Sequence, residues 1–186
     1  VIVTVGAGEQ WDSFVAWTVK HNLYGIENLS GIPGTVGAAP IQNIGAYGME
    51  VCTAIDSVTV LDTETAKLRT LSRAECEFTY RGSVFKKSKG KHLIIVSVTF
   101  YLVKNAPLCT SYQDVKKYFD KHTYINPTLQ TIRNAILAIR RQKFPDLTQV
   151  GTAGSFFKNP IITGEEYALL KKKYPTIPSY PESDGK

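Results

Sequence analysis

The chain has 186 residues, 43% of them hydrophobic and 20% charged, with a formal net charge of +6. That length suits one large domain or two small ones, and no apolar run approaches the roughly 20 residues a membrane-crossing helix needs. Apart from Lys86-Lys87, Lys116-Lys117, Arg140-Arg141 and Lys171-Lys172-Lys173 the cations are scattered, which favours a solvated surface over a nucleic-acid patch and leaves some of them for a polyanionic small molecule.

VIVTVGAG alternates like a strand ending in a glycine turn. EQWDSFVAWTVKHN then places Trp11, Phe14, Val15 and Val19 at helical spacing, predicting a helix that covers the strand. Gly6 and Gly8 form a GxG that lacks the third glycine of a dinucleotide loop, so it reads as a plain turn. The stretch GIPGTVGAAPIQNIGAYG, residues 31–48, holds no charged side chain. So much bare backbone suits neither an exposed linker nor a core strand, and points to close approach by a large flat or phosphorylated ligand.

AIDSVTVLD and KLRTL bracket the turn DTETA and read as a hairpin, and Ser72 with Glu75 makes a capping box. HLIIVSVTFYLV is a longer apolar run that reads as a strand buried on both faces. Near Asn105–Pro107 the character turns helical. TLQTIRNAILAIRRQK sets Leu129, Ile132, Ile136 and Ile139 on one face behind Asn126-Pro127 as cap and first turn, and Pro145 closes it. Thr163 and Glu166 form a second capping box, for EEYALLKKK.

Cys52, Cys76 and Cys109 are far apart and without CxxC spacing, so no disulfide framework or metal site is expected. Each reads as a small core residue in a reducing cytoplasm. His21, His92 and His122 are isolated and read as structural or surface residues. In FTYRGSVFKKS, Arg81 is either a surface cation or a fork for a carboxylate or phosphate. The cations of RRQKFPDL are already explained by a helix C-terminus. In GTAGSFFKNP no GxSxG and no placed His or Asp supports acyl transfer, so Ser155, if chemical, gives a proton. Alone, these motifs support a ligand-binding α/β domain.

In order, however, IENLSGIPGTVGAAPIQNIGAYG, YRGSVFK, SYQDV, RRQKFPDL and AGSFFKNP resemble the central part of the UDP-N-acetylenolpyruvoylglucosamine reductase family, along essentially the whole chain. These are bacterial flavoenzymes that make UDP-N-acetylmuramate for peptidoglycan. The resemblance implies an α+β fold: a second FAD-binding subdomain of the p-cresol methylhydroxylase and vanillyl-alcohol oxidase type over 1–105, then an incomplete α/β substrate-binding domain over 106–186. It implies FAD and NADPH as cofactors, a UDP-sugar as partner, no nucleic acid, membrane or metal, and a monomeric complete enzyme. It assigns Ile32, Pro33, Gly34, Gly37, Ala38, Ile41, Asn43, Gly45 and Ile95 to the flavin. Tyr47, Tyr112, Lys143 and Asn159 fall to the substrate, and Arg81 and Ser155 to catalysis.

Some of the family pattern departs or falls elsewhere. Ala38 and Ala39 stand where relatives can carry serines, removing a hydroxyl from the flavin phosphate. The family's pyrophosphate loop would precede Val1 and a catalytic glutamate would follow Lys186. With the open mid-strand start, this makes the chain read as an internal piece of a longer protein. SYQDV suggests a polar loop in which Tyr112 covers the substrate. Another FAD oxidoreductase of the superfamily, a catalytically dead nucleotide-binding module and a nucleic-acid binder are the competing readings.

Overall fold

The computed structural model describes residues 1–122, 124, 126–146, 149–151 and 157–180. They fall into two compact units, Val1–Val150 and Gly151–Lys186. In the first unit the alternating N-terminal segment forms strand β1 (Ile2–Gly6), and the expected helix follows as α1 (Trp11–Lys20). Trp11, Phe14, Val15 and Val19 are all buried, and the indole N–H of Trp11 donates to the Leu29 carbonyl at 2.9 Å. The glycine-rich stretch runs through a single turn of 3₁₀ helix, Val36–Ala38, into a minimal hairpin of β2 (Gly45–Ala46) and β3 (Met49–Glu50).

Strands β4 (Ile55–Asp62) and β5 (Lys67–Ser72) pair antiparallel, as the hairpin expectation has it. Their turn is held by Asp62, whose carboxylate accepts the amides of Glu64 and Thr65. With β6 (Leu93–Tyr101) they complete an antiparallel sheet in the order β1-β6-β4-β5. Val58, Val60, Val98 and Phe100 turn one face of this sheet onto α1, where Phe100 packs 4.9 Å from the Phe14 ring. The expectation that β6 is buried on both faces is corrected, because Ile94, Val96 and Tyr101 are exposed. An uninterrupted apolar run suits a parallel core strand, but between antiparallel neighbours its side chains alternate between core and surface.

Beyond residue 105 the described elements are helices: α2 (Gln113–Lys121) and α3 (Leu129–Lys143) in the first unit, and α4 (Gly164–Lys173) in the second. Leu129, Ile132, Ile136 and Ile139 are buried as expected. The cap, however, is Thr128 and not Asn126-Pro127: the Thr128 hydroxyl accepts from the Thr131 amide, and Asn126 lies outside the helix at φ +58°. SYQDV is loop only at Ser111 and Tyr112, and α2 takes it from Gln113 onward. Tyr112 is the residue before α2, and Val115 on that helix is fully buried. Val115, Ile132, Ile136 and Ile139 make a second hydrophobic cluster with Tyr47, distinct from the core under the sheet. Helix α1 is tied to α3 by a two-pronged ion pair, Arg133 to Asp12 at 2.6 and 2.8 Å, and the same carboxylate accepts the Gly31 amide. In the second unit Thr163 and Glu166 cap α4 reciprocally.

Candidate functional site

Arg81 sits in the two-residue turn Tyr80-Arg81, closed by reciprocal hydrogen bonds of 3.0 Å between Thr79 and Gly82. Its backbone is left-handed, φ +54°, a conformation that costs a non-glycine residue about 1–3 kcal/mol and persists only where its surroundings impose it. The guanidinium Nη2 donates to the Gly45 carbonyl at 2.6 Å, while Nη1 is buried and has no hydrogen-bond partner among the described residues. No carboxylate pairs with this guanidinium among the described residues. A Cβ at Gly45 would lie 2.5 Å from Nη1, so the glycine is what admits the side chain. A buried cationic donor without a partner is costly. The arrangement is suited to an incoming anion.

The same hairpin carries Tyr47 at its tip, in a turn whose two residues, Tyr47 and Gly48, have φ +50° and +80°. Both central residues at positive φ is the geometry that matches the twist of a two-residue hairpin. Tyr47 is buried and meets the edge of Tyr112 at 5.6 Å. Burial raises the pKa of the Tyr47 hydroxyl, while the charges of Arg140 and Lys143 act in the opposite direction. Lys143 donates to Asp114 at 2.5 Å, and that bond holds the ammonium pKa above its ordinary value. Thus Tyr47, Tyr112 and Lys143, separate in sequence, are brought together by the hairpin, α2 and the end of α3. Arg140 and Asp114 join them.

Among the residues assigned to the flavin, Pro33, Gly34, Ala38 and Ile41 are exposed, and nothing lies within 4 Å of where a Cβ on Gly34 would be. These four residues carry no charge, and the unpartnered Nη1 of Arg81 is suited to an anion. Other members are engaged by the protein itself. A Cβ on Gly37 would meet that of Ala7 at 2.6 Å, so this glycine serves the contact that its amide makes to the Ala7 carbonyl. The Asn43 side-chain amide donates to Glu50 and Thr79 and accepts from the Cys52 amide, its backbone N–H donates to the Pro40 carbonyl, and the residue is fully buried. Ile32 and Ile95 are half-buried against the sheet core. The bare backbone of the stretch therefore serves internal packing at Gly37 and Gly45, and stands open at Gly34.

Ser155 lies outside the described residues. Asn159 is exposed in the second unit. Sequence reasoning did not single out Asn28 or Asp114, and it set Arg140, with the other cations of RRQKFPDL, aside as belonging to a helix C-terminus, although Arg140 and Lys143 are three apart on α3 and so share a helix face. Two further expectations are corrected. His92 is not isolated, for its ring nitrogens lie 3.8 Å from Asp62 and 3.9 Å from Glu64. Of the cysteines only Cys76 is a core residue, its thiol pKa pushed up to about 12 by burial; Cys52 and Cys109 are half-buried. No helix among the described residues is long and apolar enough to cross a membrane.

Residues 1–72 match the FAD binding domain family. Proteins named UDP-N-acetylenolpyruvoylglucosamine reductase from Pseudomonas putida, Porphyromonas gingivalis and Pseudomonas syringae are 44%, 42% and 48% identical over 99–100% of this chain, which covers 54% of each of them. The chain thus spans about half the length of the curated relatives it matches. A crystal structure of the reductase of that name from Thermus caldophilus superposes with a TM-score of 0.62 at 24% identity, over 85% of this chain and 48% of the other.

Proposed function

We infer, from identities of 42–48% along 99–100% of the chain to proteins named UDP-N-acetylenolpyruvoylglucosamine reductase, that it belongs to that family and holds part of the flavin cleft and part of the substrate grip of an NADPH-dependent reductase of UDP-N-acetylglucosamine enolpyruvate. The single observation that carries this reading is the guanidinium of Arg81, one nitrogen anchored on Gly45 and the other buried and unpartnered. FAD, when bound, supplies hydride taken from NADPH to the β carbon of the enolpyruvyl ether.

The electron pair of the C=C bond then moves to the α carbon and into the adjacent carboxylate. Arg81 Nη1, as a fixed donor already stripped of water, stabilises that charge more in the transition state than in the bound substrate. Ser155 gives the α carbon its proton; an enolate-like carbanion is basic enough to take one from a hydroxyl. Tyr47, Tyr112 and Lys143 present two ring surfaces and a point charge to the diphosphate and sugar, and Asn159 offers an amide. In this reading residues 1–105 face the flavin with Ile32 through Gly45 and Ile95, and 106–186 serve the substrate. The complete enzyme acts as a monomer in the cytoplasm.

A full-length reductase carrying this chain should consume NADPH only when the enolpyruvyl UDP-sugar is supplied. Consumption independent of that sugar, or none with it, would remove the assignment. Ser155→Ala should leave flavin reduction near its normal rate and slow reoxidation by about 10²–10⁴-fold, the usual worth of a general acid. Equal slowing of both halves would make Ser155 a binding or structural residue.

A further inference from the structure

Asn28 lies in the 3₁₀ turn Glu27–Leu29 and is fully buried. Its amide nitrogen donates two hydrogen bonds of 2.9 Å, one to the Tyr47 carbonyl and one to the Cys109 carbonyl. The first acceptor belongs to the left-handed tip of the β2–β3 hairpin, the second to the segment leading into α2. Each carries one of the two tyrosines, Tyr47 and Tyr112, whose rings meet edge to face at 84°. The Asn28 side-chain oxygen is buried without a hydrogen-bond partner.

We propose that Asn28 is a positioning residue that sets the spacing between the two tyrosines and, through the hairpin, between them and Arg81. This rests on the reading of Tyr47 and Tyr112 as substrate-binding residues. The chemistry needs two donors on one planar nitrogen aimed at two carbonyls. Aspartate and leucine offer none, serine offers one, and only the amide spans both. The hairpin transmits the constraint. Tyr47 at its tip is pinned by Asn28, and Gly45 at its base holds Arg81, with the pairs Gly45↔Glu50 and Ala46↔Met49 between them. A clamp here fixes where the sugar diphosphate sits relative to the reacting carboxylate, and a misplacement of one ångström is enough to cost two orders of magnitude in rate.

The test uses Asn28→Leu, close in volume but without donors, and Asn28→Ser, which keeps one, in a full-length reductase carrying this chain. Calorimetry with UDP should show affinity lowered at least about 10-fold in Asn28→Leu and less in Asn28→Ser, with the flavin absorbance spectrum unchanged. Amide exchange should quicken in peptides spanning 45–50 and 108–112 and stay unchanged across β4 and β6. Unchanged exchange in those two peptides would overturn the proposal, as would a loss of UDP affinity, flavin content and exchange protection all in step with melting temperature. If the wild type fails to bind UDP, the substrate reading falls while the exchange data still decide the clamp. If Asn28→Leu does not fold, Asn28→Ser decides it.

Discussion

At the scale of single residues, the site depends on what is missing as much as on what is present. Gly45 has no side chain, and Arg81 occupies that space. Gly45→Ala would put a Cβ 2.5 Å from Arg81 Nη1 and 3.1 Å from the Met49 carbonyl. The guanidinium is the part that yields, since overpacking costs about 1–3 kcal/mol and a side chain moves more readily than a paired backbone. In the full-length enzyme the expected outcome is an almost unchanged circular dichroism spectrum with kcat/KM lowered on the order of 10²-fold, as for loss of one fixed donor to developing charge. Unaltered kcat/KM would show that the present seat of Arg81 is not needed for the reaction. The candidate residues came from the sequence only through ordered motifs. YRGSVFK marks Arg81, but nothing in it tells that Nη2 is spent on Gly45 while Nη1 is left buried.

At the scale of elements, the clearest signals were those with local causes. The spacing of Trp11, Phe14, Val15 and Val19 specified α1, and the Thr163–Glu166 box specified the start of α4. Helix α2 was missed because Val115, Tyr118 and Phe119 stand among lysines and two aspartates, so its apolar face is narrow. The exposure of Ile94 and Val96 depends on which strands flank β6, a long-range fact absent from the run itself. Longest in range is the Asp12–Arg133 pair that joins α1 to α3. Burial raises the Asp12 pKa, but the Arg133 hydrogen bond, the Gly31 amide and the positive charges of Arg133 and Arg140 outweigh it and leave it below its ordinary 3.8. A lowered folded-state pKa contributes stability in full above the unfolded value, and that contribution fades as pH falls through the folded one. Arg133→Met should therefore melt below the wild type at neutral pH, with the gap narrowing as the pH falls through the ordinary carboxylate value of 3.8 and below it. Thermal melts of both proteins across that range check this; a constant gap would mean the two helices are joined by packing alone.

At the scale of the whole molecule, the chain covers 54% of relatives such as the Pseudomonas putida reductase, and it brings only part of the expected cleft. In the proposed reading the exposed residues Pro33, Gly34, Ala38 and Ile41 belong to one wall of that cleft. The purified chain should accordingly be colourless and a full-length reductase carrying it yellow; a stoichiometric flavin spectrum from the chain alone would show that one wall suffices. The family resemblance was legible because long motifs stand in order, whereas the pairing of Tyr47 with Tyr112 came only from folding, since nothing in SYQDV or IGAYG points from one to the other. The central claim is that Arg81 holds a donor in reserve for charge that appears on the substrate and not on the flavin. Stopped-flow absorbance of the flavin in full-length Arg81→Lys tests it most directly, because lysine keeps the charge and loses the fork. The account predicts near-normal bleaching by NADPH and reoxidation by the enolpyruvyl UDP-sugar slowed by about 10²-fold or more. Reoxidation within about threefold of the wild type would contradict it, as would an equal slowing of both steps.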